Sequence, residues 1–140
     1  MKGAHITFHD AIKDFPAAAR GTKPNGAPYT AWQLLEHMRI AQADILDFSR
    51  NPTYLEKAWP GDYWPATEAP ATEDAWDQSV QQFQKDLKEM QELIADTHHD
   101  LLAKLTHGTG QTLLREALLV ADHNAYHLGQ LVLLKKMLET

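Results

Sequence analysis

The sequence predicts an all-α fold, a four-helix bundle with one long crossover connection, on three observations. Apolar residues recur every three or four positions over long stretches, capping signatures stand at Thr7 and Thr30, and helix breakers gather between the periodic stretches. No strand is needed to account for the pattern. At 140 residues the chain fits one domain spanning 1–140, a length that buries roughly two thirds of the surface of its unfolded form.

The elements follow in order. Thr7-Phe8-His9-Asp10 has capping-box spacing with Asp in the Glu role, and Phe8, Ile12 and Phe15 follow at helical spacing. A first helix therefore starts near Thr7 and is interrupted by Pro16; Gly21, Pro24, Gly26 and Pro28 then make a loop. Thr30-Ala31-Trp32-Gln33 is a second capping box, and the stripe Leu34, His37, Met38, Ala41, Ile45 and Phe48 predicts a helix over about 31–49. From 51 to 71 the chain carries Pro52, Pro60, Pro65 and Pro70 among Tyr54, Trp59, Tyr63 and Trp64. That composition suits a long crossover loop with aromatic anchors against the bundle. Thr72, Glu73 and Asp74 open a third helix with the stripe Trp76, Val80, Phe83, Leu87, Met90 and Ile94. His98-His99-Asp100 marks its end, Leu101, Leu102 and Leu105 allow one further turn, and His107-Gly108-Thr109-Gly110 breaks the chain before a fourth helix over about 112–138.

Composition excludes several function classes. With no cysteine there is no disulfide, thiolate ligand or cysteine nucleophile, so a metal site must use nitrogen and oxygen. A formal charge of -6 without clustered Lys and Arg opposes nucleic-acid binding. Only Ser49 and Ser79 are serines, and neither lies in a nucleophile turn. No stretch approaches the ~18 uninterrupted apolar residues of a membrane span. The first fifteen residues carry no apolar signal core, so the cytoplasm is the expected compartment.

The histidines carry the chemistry. His123 and His127 stand at i and i+4 on a helical segment, a spacing that lets both rings reach one ion. Spacing alone also fits two core imidazoles satisfied by side chains or carbonyls. His37 lies in the apolar stripe of the second helix, where a lone histidine reads as a satisfied core residue. Facing helices of a bundle would nevertheless bring it to the other pair, and three neutral imidazoles leave a coordination position open. His5 and His9 read as structural, and His98, His99 and His107 as helix-end residues. Asp44, Asp122 and Glu116 are carboxylates that could orient a ligand imidazole or complete the shell, although each reads more simply as a solvated surface group. Trp59, Tyr63 and Trp64 either wall a pocket or, the simpler reading, plug the bundle end.

The run Asp122-His123-Asn124-Ala125-Tyr126-His127-Leu128-Gly129-Gln130, together with Trp32-Gln33-Leu34-Leu35-Glu36-His37, resembles the DinB-like (damage-inducible) superfamily of four-helix-bundle metalloproteins. The resemblance spans nearly the whole chain. It implies helices running up-down-down-up, His37, His123 and His127 as three metal ligands, and a homodimer. The first helix, shortened at Pro16, departs from the longer one usual in that superfamily.

The function expected on this basis is a metal-dependent enzyme of thiol-dependent transferase or hydrolase type, in which the open position of a tris-histidine site activates a water or an exogenous low-molecular-weight thiol. The resemblance favours the thiol, because relatives include thiol transferases and thiol-using isomerases. Tyr126, Gln130 or Asp44 would position the small-molecule substrate. Imidazole ligation favours Zn or Ni, with Fe or Mn also compatible. The alternative is a non-catalytic metal-binding or structural stress-response protein, which a fourth ligand from Asp44 or Glu116 would support.

Overall fold

The structure, a computed structural model, describes residues 3–139. Four α-helices, α1 (Phe8–Ile12), α2 (Ala31–Arg50), α3 (Ala75–Ala95) and α4 (Leu113–Leu138), are joined by loops holding two short 3-10 turns, Ala17–Ala19 and Gly61–Tyr63. The described residues contain no strand, only an isolated antiparallel bridge between Lys104 and Thr112.

Local chemistry sets the helix ends. At α2 both halves of the capping box form, with the Gln33 N–H donating to Thr30 Oγ1 at 3.1 Å and the Thr30 N–H donating to Gln33 Oε1 at 3.0 Å. Thr112 caps α4 by accepting from the Arg115 N–H at 3.2 Å. Thr7 caps α1, but Asp10 accepts from the Thr7 hydroxyl instead of closing the reciprocal bond. This helix ends after five residues because Lys13 turns extended and Asp14 takes a left-handed φ of 58°, so Pro16 lies beyond it. The third helix begins later than Thr72, because the Asp74 carboxylate is taken up by the Thr72 hydroxyl and the Gln78 amide. No further turn follows at Leu101–Leu105. The Leu105 N–H donates to the Gln111 carbonyl at 2.8 Å and the Leu114 N–H to the Leu101 carbonyl at 2.9 Å, drawing the segment back onto the start of α4.

Packing fixes the directions. At one end Trp32, Leu34 and Leu35 of α2 meet Trp76 of α3 and Leu131 and Leu134 of α4. In the middle Met38, Phe83 and Leu128 pack together with Ala11. At the other end Leu46 meets Met90, Leu113 and Val120. Helices α2 and α3 are therefore parallel and α4 antiparallel to both. Phe8 on Phe83 and Phe15 on Trp76 run α1 against α3. The order is up-down-down-up, and two parallel neighbours in sequence require the long crossover. Leu35, Met38, Phe83, Met90 and Leu131 are no more than 1% exposed, each worth about 1.5–3 kcal/mol of burial.

Two polar ties lie within this core. Gln42, 1% exposed, donates to the Phe83 carbonyl at 2.7 Å and accepts from the Asn124 amide at 2.8 Å, linking α2 to α3 and α4 at one level. Glu36 is buried beside α3, where Arg39 grips it at 2.8 and 2.9 Å and the Ser79 hydroxyl donates to it. The crossover is anchored rather than loose: Trp32 Nε1 donates to Thr67 at 3.2 Å, Thr30 donates to the Glu68 carbonyl at 2.6 Å, and Tyr29 stacks on Trp64.

Candidate metal centre

Antiparallel packing of α2 on α4 puts His37 opposite the i, i+4 pair of α4. His37 Nε2 lies 3.1 Å from His127 Nε2 and 3.2 Å from His123 Nε2. His37 and His127 are buried, His123 half-buried, and one ligand atom from each forms a group that could hold a metal ion. Nitrogens bonded to a tetrahedral ion at about 2.0–2.1 Å would stand ~3.3 Å apart, so the two measured separations are close to the edges of such a polyhedron.

The other face of each ring decides its tautomer. His37 Nδ1 donates to the Tyr63 backbone carbonyl at 2.8 Å, and His127 Nδ1 donates to Gln130 Oε1 at 2.7 Å. An oxygen of either kind only accepts, so both Nδ1 atoms carry protons and both Nε2 atoms present lone pairs. Two lone pairs facing each other at 3.1 Å lack a proton to join them and suit a shared cation. His123 Nδ1 is buried without a hydrogen-bond partner among the described residues. Burial holds the His37 and His127 imidazoles below the usual histidine range, against the opposing pull of the Tyr63 carbonyl and Gln130. Burial, joined by repulsion from His127 and His37, brings His123 down to about 4. Neutral imidazoles are the form a metal requires.

Aromatic rings from the crossover complete the surroundings. Trp64 stacks on the His37 ring at 3.9 Å and 3°, so it walls the site rather than plugging the bundle end. Trp59 and Tyr126, 70% and 65% exposed, stand edge-on to His37 and His127 at the rim.

The carboxylates are not where a solvated reading puts them. Asp44 and Glu116 are buried, at 9% and 1% exposure; Asp122 alone is exposed. Among the described residues, none of the three hydrogen-bonds a ligand ring. Asp44 accepts from the Tyr54 and Tyr63 hydroxyls, and Glu116 from Arg115. Burial together with the Asp44 carboxylate pushes both tyrosine hydroxyls above their usual range. Asp44 and Glu116 line a cavity of about 470 Å³ with Tyr54, Phe48, His107 and Arg115. Of the remaining histidines, His98 and His99 pair with Asp96 beyond α3, His107 donates to the Phe48 carbonyl, and His5 bonds the Ile6 carbonyl, all away from the triad.

Gln130 orients His127 through its side-chain oxygen, a role its i+3 spacing could have signalled. The Tyr63 carbonyl had no signal in the sequence, since it comes from no periodic element, whereas the stack of Trp64 on His37 matches the pocket-wall alternative over the simpler plug. A family model described as the DinB superfamily matches residues 4–131. No curated protein and no solved structure is a significant match to the chain.

Proposed function

This chain belongs to the DinB superfamily, and from that premise we propose that it is a metal-dependent enzyme whose His37, His123 and His127 hold one divalent cation, Zn or Ni for preference and Fe or Mn as alternatives. The observation that carries the reading is the 3.1 Å approach of the His37 and His127 Nε2 atoms while both Nδ1 protons are committed elsewhere. When bound, the ion would supply Lewis acidity, lowering the pKa of whatever occupies its remaining position.

The protein's own groups support catalysis over a purely structural tie. No carboxylate joins the histidine group among the described residues, and Asp44 and Glu116 are engaged elsewhere. The Tyr63 carbonyl and Gln130 hold two rings in the ligating tautomer before any ion arrives, which limits reorganisation. The stacked Trp64 keeps water from one flank of His37. The open side, rimmed by Trp59 and Tyr126, faces a small-molecule substrate.

The reaction class we favour is transfer of a low-molecular-weight thiol to an electrophile, with hydrolysis by water as the neighbouring possibility. No helix among the described residues is long and apolar enough to cross a membrane; a cytoplasmic site of action and no nucleic-acid partner complete the proposal. So does a homodimer, for which Leu118 and Leu133 of α4 are exposed apolar residues.

Cobalt substitution tests the open position. In the Co(II)-loaded protein, 2-mercaptoethanol should change the visible spectrum and add a thiolate charge-transfer band. A spectrum indifferent to thiol and to azide would mean a closed site and favour the non-catalytic metal-binding alternative.

A further inference from the structure

Asp44 follows His37 on the same face of α2 at i+7, about 10 Å further along the axis by the rise of an α-helix. Its buried carboxylate accepts from the Tyr54 hydroxyl at 3.0 and 3.2 Å and from the Tyr63 hydroxyl at 2.6 Å. The shorter bond is in the range of a charge-assisted O–H···O⁻ contact, the stronger kind. Both oxygens are occupied, so Asp44 is not a spare ligand waiting for the metal.

Tyr63 faces two ways. While its side chain reaches Asp44, its carbonyl accepts from His37 Nδ1 at 2.8 Å, and the next residue, Trp64, lies flat on the same imidazole. The tight turn at Gly61–Tyr63, in which the Tyr63 N–H donates to the Pro60 carbonyl at 3.1 Å and the Ala58 N–H to Asp62 at 2.8 Å, makes the two ends of Tyr63 move together. Residues 54–64 are thus tied to one face of α2 at two levels, His37 and Asp44. A carboxylate offers two acceptor oxygens to the two converging hydroxyl donors, where an amide offers one and puts an NH2 donor in place of the other.

We infer that Asp44 is a positioning residue of the metal centre: through the Tyr63 hydroxyl it fixes the carbonyl that keeps the His37 proton on Nδ1 and leaves Nε2 free to ligate. The inference deepens the metal-centre reading and rests on it for its purpose, but its geometry lies in this chain's own residues. Tyr54 shares the carboxylate without touching His37, so it serves as an internal control. A role confined to holding the loop would make the two tyrosines equivalent.

The experiment pairs imidazole ¹⁵N spectra of the chelator-treated protein with zinc affinity by competition, on wild type, Tyr63→Phe, Asp44→Asn and Tyr54→Phe. Circular dichroism confirms helical content in each. Wild type should show His37 as the Nδ1–H tautomer. Tyr63→Phe and Asp44→Asn should shift it toward a tautomer mixture and weaken zinc binding about 10- to 100-fold, as loss of a partner to a ligand imidazole does; Tyr54→Phe should keep the wild-type tautomer. The inference is overturned if Tyr63→Phe retains both the tautomer and the affinity, or if Tyr54→Phe disturbs His37 equally. A wild type without zinc affinity would sink the metal reading instead, and the tautomer spectra would then decide the role of Asp44 alone.

Discussion

Replacing Gln42 by Leu should be among the most damaging single changes that leave every proposed metal ligand in place. Gln42 is 1% exposed and makes two core hydrogen bonds, at 2.7 and 2.8 Å. Each neutral bond is worth about 0.5–1.5 kcal/mol net, and a stranded buried donor costs about 1–3 kcal/mol. The donor stranded here is the Asn124 amide, whose Oδ1 is already buried without a partner. Together these give a loss of about 2–6 kcal/mol, a large share of the ~5–15 kcal/mol that keeps a domain folded. At about 2.1 cal/mol/K per residue over 140 residues, the unfolding entropy is roughly 0.3 kcal/mol/K, so the melting temperature should fall by about 7–20 °C. Calorimetry and urea titration of Gln42→Leu, Asn124→Leu and the double variant would measure this. The double variant should lose at least ~1 kcal/mol less than the sum of the singles, because removing both partners strands nothing between them. A Gln42→Leu variant within ~0.5 kcal/mol of wild type, or strict additivity in the cycle, would mean that these bonds do not hold the three helices together.

Two further outcomes follow from the same structure. Burial pushes the Glu36 carboxyl up, but the Arg39 guanidinium and the Ser79 hydroxyl outweigh it and hold the group below its usual 4.5. Its folded pKa being depressed, it contributes stability that is present above pH 4.5 and lost as pH falls through the folded value; urea titrations from pH 7 down to 3 should show a steeper loss in wild type than in Glu36→Gln. Gly108 has φ +83°, and an added Cβ would stand 2.6 Å from Gln111 Oε1 and 2.8 Å from Phe48 Cζ, whereas Gly26, also at +83°, has nothing within 4 Å. Gly26→Ala should cost only the left-handed backbone term of about 1–2 kcal/mol, and Gly108→Ala should cost measurably more by thermal unfolding.

The fold was largely legible because its signals are local. Thr30 and Gln33 announce the start of α2 within four residues, the stripes of α2 and α3 name their buried faces, and Asn51-Pro52 ends α2. The triad was legible for a related reason: His123 and His127 share a face by helical arithmetic, and antiparallel packing brings His37 to them. What escaped was tertiary. The burial of Asp44 depends on Tyr54 and Tyr63, which arrive from an aperiodic segment, and nothing in the spacing of Glu36 or Glu116 distinguishes a buried carboxylate from a solvated one. The further turn allowed at Leu101–Leu105 did not form because the Leu105 N–H found the Gln111 carbonyl across the connection, a pairing that periodicity cannot register. Trp64 read as a plug for want of any local pattern that could place its ring on His37.

The proposed chemistry depends on one metal ion held by His37, His123 and His127. Elemental analysis of tag-free protein, wild type beside a His37→Ala, His123→Ala, His127→Ala triple variant of unchanged helicity, tests it most directly. Wild type should carry close to one divalent metal per chain and the variant none. Wild type that stays empty after incubation with Zn, Ni, Fe and Mn, or a variant that retains the full complement, would contradict it.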